Sequence, residues 1–181
     1  MLRTLTWLHL SDLHFSQKRH GYDQEPLLRA LKSDVAKVAT EFKLTPDLIF
    51  FTGDVAFGEL KSPFGNESIE EQFDGAFGLL EAIRTSFAVE VPKSRIFIVP
   101  GNHDVKRSLV GSDQTEWLTG TAVTKDKIVS LVRSGDVAWD RYIERLQAFA
   151  DALKKHGYDH LLADPKRIIS ATSLVINSAS V

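Results

Sequence analysis

The stretch Ile96-Phe97-Ile98-Val99-Pro100-Gly101-Asn102-His103-Asp104 decides the fold. Its first four residues are branched or aromatic, and then the chain turns abruptly polar at Pro-Gly. A short continuous apolar run bounded by such breakers predicts a buried strand. Asn102 offers a neutral carbonyl oxygen to a cation. His103 can reach a substrate oxygen, and Asp104 can hold the imidazole ring in orientation. A simple polar turn after a strand has no use for that combination.

Two earlier segments repeat the design. Leu5 to Leu10 runs into Ser11-Asp12-Leu13-His14, and Leu48 to Phe51 runs into Thr52-Gly53-Asp54. On an extended backbone Asp12 and His14, two apart, point the same way, so a carboxylate and an imidazole can grip one ion. Gly53 permits a sharp turn and a close approach by a ligand, and the Asp54 carboxylate can lie between two cations. Taken alone, Asp-x-His and Gly-Asp are weak signals, because turn aspartates and strand-capping histidines are common.

Helical patterns separate the three strands. Leu27, Leu28, Leu31, Val35, Val38 and Phe42 form one apolar stripe, with Pro26 suited to the first turn. A second helix is predicted over Ser68 to Phe87, with Phe73, Phe77, Leu80 and Ile83 facing inward. Gly58 to Asn66 reads as a loop. Strand-helix-strand-helix-strand implies a largely parallel sheet, whose ligands sit beyond the carboxyl ends of the strands. All three polar clusters fall there.

The remainder is plainer. Lys106 to Thr124 reads as a loop, Lys125 to Arg133 as a short helix, and Val137 to His156 as one longer amphipathic helix that carries Trp139, Tyr142, Ile143, Leu146, Phe149 and Leu153 inward and stops at Gly157. Ser173 to Ile176 is predicted as a fourth strand leading into Asn177-Ser178.

Asp12-Leu13-His14, Gly53-Asp54-Val55 and Gly101-Asn102-His103-Asp104, in this order and each after a strand, resemble the first three signature blocks of the calcineurin-like metallophosphoesterase superfamily. Asn177-Ser178 resembles the strand that follows in bacterial members. The resemblance implies an α/β fold, a layered β-sandwich flanked by helices. It implies two divalent ions, manganese first, with iron or zinc as alternatives. Asp12 and His14 would bind the first ion, Asp54 would bridge, and Asn102 would bind the second. Two such ions, about 3.5–4 Å apart, activate a water and clamp phosphoryl oxygens. His103 would stabilise the transition state or protonate the leaving oxygen, and Asp104 would orient His103.

The superfamily carries two further blocks, a Gly-His and a Gly-His-x-His. After Asp104 this sequence holds only His156 and His160, neither after glycine, and both read as surface or helix-end histidines. Residues 1–181 therefore read as the N-terminal part of a phosphoesterase domain, with further domains or blocks beyond Val181. Two functional expectations follow. One is a metal-dependent phosphoesterase acting on a phosphomonoester or phosphodiester. The other is a non-catalytic or incomplete module of a larger multidomain protein.

Composition narrows these readings. The 181 residues are 43% hydrophobic and 25% charged, as in an ordinary globular domain. With 22 basic and 24 acidic residues there is no basic footprint for non-specific nucleic-acid binding, although a nucleotide substrate stays open. Lys18, Arg19, Lys106 and Arg107 lie near the motifs in sequence, either as a phosphate-attracting rim or as solvated loop charges, the second being favoured. The absence of cysteine excludes disulfides, thiolate ligands and cysteine nucleophiles. No apolar run approaches the roughly 20 residues that span a bilayer, and no signal peptide is apparent, so a cytoplasmic protein with no membrane partner is expected.

Overall fold

Among the described residues, three short strands pair side by side into one parallel sheet: β1 (Trp7–Leu10), β2 (Leu48–Thr52) and β3 (Ile96–Val99), in the order β1-β2-β3. The structure is a computed structural model that describes residues 4–17, 24–59, 67–111, 124–134 and 137–162. The expected strand Ser173 to Ile176, with Asn177 and Ser178, lies outside the described residues, as do Lys18, Arg19 and His20. Alternation along the strands places Ile49 and Phe51 of β2 on the same buried face as Ile96 and Ile98 of β3. The first strand begins later than Leu5. Thr6 instead donates its backbone N–H to the Asp47 carboxylate at 2.9 Å, and its carbonyl accepts from Asp47 at 2.9 Å, which sets the entry point of the sheet.

Helices α1 (Gln24–Thr40) and α2 (Ile69–Arg84) make the two crossovers. Ser68 caps α2 with a reciprocal pair: its side chain accepts the Glu71 N–H at 3.2 Å, and the Glu71 carboxylate accepts the Ser68 N–H at 2.9 Å. Such a cap contributes about 1 kcal/mol. The helix stops before Phe87, where two hydroxyls join the backbone N–H groups of Thr85 and Ser86 on its last carbonyls. Thr85 Oγ1 donates to Glu81 O at 2.8 Å and Ser86 Oγ to Ile83 O at 2.7 Å. Phe73, Phe77, Leu80 and Ile83 are buried as expected, each side chain contributing about 1.5–3 kcal/mol by leaving water.

Two expectations need correction. The apolar stripe of α1 is narrower than its sequence suggests. Val35 and Ala39 are buried and Leu28 and Leu31 pack against the core, while Leu27, Val38 and Phe42 are exposed. At 3.6 residues per turn, Leu27 and Val38 both lie to one side of the line through Leu28, Leu31 and Val35, and Phe42 lies past the helix end. The single helix expected over Val137 to His156 is two, α4 (Val137–Glu144) and α5 (Gln147–Lys155), preceded by α3 (Lys125–Ser134). Arg145 gives its carbonyl to the Lys106 N–H at 2.9 Å, and the chain tightens locally as Leu146 N–H donates to Ile143 O at 2.7 Å. The helical ladder is thereby interrupted at residues 145–146. Phe149 and Leu153 of α5 then pack on α2, Phe149 edge-on to Phe73.

Candidate metal centre

Beyond the ends of β1 and β2 the two chains stay zipped. Asp12 N–H donates to Gly53 O (3.2 Å), His14 N–H to Asp54 O (2.9 Å), Phe15 N–H to Val55 O (2.9 Å) and Phe57 N–H back to Phe15 O (3.1 Å). The Gly53 N–H reaches Val99 O at 3.0 Å, bringing in the rim of β3. Along this zip Asp12, His14 and Asp54 adopt left-handed backbone angles, with φ of 55°, 47° and 51°. Each such residue costs an L-amino acid about 1–2 kcal/mol. Strain of this kind persists only where surrounding bonds over-determine it, and it concentrates at functional sites. Among the described residues the only other non-glycine in this region is Lys43. Asp12 and His14 are therefore not brought together by an extended strand, as the sequence suggested, but by two left-handed residues separated by Leu13.

The result is a tight cluster. His14 Nε2 lies 3.8 Å from Asp54 Oδ2 and 4.0 Å from Asp12 Oδ1. Ligand atoms of His14, Asp54 and His103 all fall within 4.8 Å of one another. Nitrogen and oxygen ligands sit about 2.0–2.2 Å from a zinc-like ion, so two of them on one ion are separated by at most about 4.4 Å. The spacings of His14 from both carboxylates satisfy that limit. Among the described residues, no lysine or arginine forms an ion pair with Asp12, Asp54 or Asp104. Carboxylates and imidazole without a protein cation form a donor set suited to a divalent ion. Asn102 is exposed in the same turn, next to His103.

His103 is more closely bound into this cluster than its sequence position suggested. Its backbone N–H donates to Asp54 Oδ1 at 2.9 Å, and its ring stands edge-on to His14 with centroids 4.6 Å apart. Its Nδ1 lies 2.7 Å from the Phe57 carbonyl oxygen. A carbonyl oxygen only accepts, so Nδ1 carries a proton and Nε2 is the nitrogen left for an ion or a substrate.

Asp104, expected to orient this ring, directs its carboxylate to the main chain instead. Asp104 is fully buried, and its carboxylate accepts three backbone N–H groups: Ala56 at 2.7 Å, Gly101 at 2.8 Å and Val55 at 3.1 Å. Burial pushes its carboxyl up, the three N–H groups pull it back, and the Asp54 charge adds to the rise. Asp104 ties the β3 turn to the segment after β2, and the Phe57 carbonyl orients the imidazole. A main-chain acceptor leaves no mark in side-chain chemistry, so sequence reasoning had no signal for it.

Other polar groups separate from the centre. Lys106 Nζ pairs with Glu70 at 3.0 Å, and that hydrogen bond holds its ammonium above the usual lysine range. It is therefore not an uncommitted phosphate-attracting cation, whereas Arg107 is exposed. His156 binds Asp74 at 2.9 Å and stacks on Phe77, and His160 Nε2 lies 3.2 Å from Ile96 O. His9 bonds Thr52 across the exposed sheet face at 2.6 Å.

A family model described as calcineurin-like phosphoesterase matches residues 5–171. This chain belongs to the calcineurin-like phosphoesterase family. No curated protein matches the chain. Family membership supports metal-dependent phosphoester hydrolysis as the general chemistry, and the parallel α/β sheet is consistent with the family fold. Calcineurin-like phosphoesterases typically bind divalent metals, and the grouping of His14, Asp54 and His103 provides a matching donor set. Among the described residues, no helix is long and apolar enough to cross a membrane.

Proposed function

We propose that this calcineurin-like phosphoesterase hydrolyses a phosphomonoester or phosphodiester at a pair of divalent ions. Asp12 and His14 would hold one ion and Asn102 the other, with Asp54 shared between them. The observation that carries this reading is the convergence of His14, Asp54 and His103 at one rim, from loops after three different strands. Bound there, the ions supply Lewis acidity toward phosphoryl oxygens and acidify a water. Oxygen and imidazole ligands suit manganese, iron and zinc alike, and family resemblance makes manganese our first choice.

The chain's own groups do the rest. The His103 N–H holds Asp54 Oδ1 in place at 2.9 Å. The Phe57 carbonyl fixes Nδ1, so that Nε2 meets the substrate. When protonated, this nitrogen donates to the leaving oxygen as a general acid. A near-neutral balance of 22 basic and 24 acidic residues gives no reason to favour nucleic acid among phosphate esters.

Hydrolysis of bis(p-nitrophenyl) phosphate with manganese checks this reading. The wild-type chain is expected to turn over, and Asp54→Asn and His103→Ala to lower kcat/KM by about 100-fold or more. Equal rates in wild type and both variants would contradict it.

A further inference from the structure

Gln72 is a fully buried polar side chain on the inner face of α2, among Ile69, Phe73 and Ala76. An amide in that position has to find partners, because an unpaired buried polar group costs about 1–3 kcal/mol. It finds both on one residue. The Gly58 N–H donates to Gln72 Oε1 at 3.0 Å, and Gln72 Nε2–H donates to Gly58 O at 3.1 Å. The side-chain amide thus pairs with the backbone as a neighbouring strand would, and fixes residue 58 in both position and direction.

Residue 58 is where the imidazole rests. The preceding Phe57 carbonyl accepts from His103 Nδ1 at 2.7 Å. A Cβ added to Gly58, whose φ is +97°, would stand 3.0 Å from the His103 carbonyl oxygen and 3.6 Å from Nδ1. The loop therefore lies against His103, and a small shift in it moves the acceptor that decides which ring nitrogen carries the proton.

We propose that Gln72 is a positioning residue for His103. Acting through Gly58 and the Phe57 carbonyl, it locks the imidazole as the Nδ1–H tautomer and presents Nε2 to the reaction. This inference rests on the hydrolytic reading only for its effect on rate; its effect on the tautomer stands apart.

The test uses the full chain, 15N-labelled at histidine and free of metal. Long-range 1H–15N spectra report the tautomer of each neutral ring, and His103→Ala assigns the His103 signals. The wild type is expected to show the Nδ1–H form alone. Gln72→Met, which leaves both Gly58 groups without a partner, is expected to show a mixture. With manganese and bis(p-nitrophenyl) phosphate, its kcat is expected to fall about 10–100-fold, with KM changing less than threefold. Gln72→Glu keeps the size and still accepts from Gly58 N–H, but when ionised it has no hydrogen to give Gly58 O. Its kcat is expected to lie between the other two, and if Gln72→Met does not fold this variant decides.

A lowered melting temperature with tautomer and kcat both unchanged would make Gln72 merely structural and overturn the proposal. A wild type without hydrolysis but with the tautomer shift in the Gln72 variants would refute the hydrolytic reading and leave the positioning role intact. A wild type that hydrolyses, with variants unchanged in both readouts, would do the reverse.

Discussion

Gly101→Ala is expected to lower manganese-dependent kcat/KM by about 100-fold or more while the protein stays folded. A Cβ at residue 101 would stand 2.2 Å from Asp54 Oδ1, 2.4 Å from Asp54 N and 2.8 Å from Asp54 Cγ. The backbone nitrogen cannot swing aside without moving the segment after β2, so the carboxylate has to leave its place. That displaces the proposed bridging ligand, and it also removes the acceptor of the His103 N–H. Relieving a clash of this kind typically costs about 1–3 kcal/mol of stability, which a folded domain survives. Steady-state kinetics beside thermal melting measures both effects. Activity within threefold of wild type would mean that the placement of Asp54 does not matter to the reaction.

The second large effect is on stability. Asp104→Ala is expected to destabilise the chain by about 3 kcal/mol or more, because it strands the N–H groups of Val55, Ala56 and Gly101. Asp104→Asn keeps the volume and one acceptor but turns an NH2 toward donors, and is expected to lose about 2 kcal/mol. Urea unfolding checks both. If Asp104 oriented the His103 ring instead, the variants would melt like wild type and lose only turnover. That outcome would contradict the clamp.

The two roles of Asp104 mark where sequence reading stops. The β3 stretch and its polar turn were legible because apolar runs, breakers and rare side-chain chemistry coincide there. The parallel sheet, the start of α2 at Ser68, and the rim shared by Asp12, His14, Asp54 and His103 followed from the same logic. What escaped was set by main-chain partners. The break between α4 and α5 depends on Lys106 reaching Arg145 O, a contact between residues far apart in sequence. The left-handed angles at Asp12 and His14 depend on the zip to Gly53 and Asp54. The Phe57 carbonyl is invisible to any motif. Gln72 did carry a signal, since a glutamine inside the apolar face of α2 has to pair with something. Its partner could only be found in three dimensions.

The central claim is that these loops hold divalent metal through Asp54. Calorimetric titration of manganese into the metal-free chain tests it most directly. The wild type is expected to bind saturably, and Asp54→Asn at least about 100-fold more weakly at an unchanged fold. No binding by the wild type, or equal binding by the two proteins, would contradict it and favour a non-catalytic module.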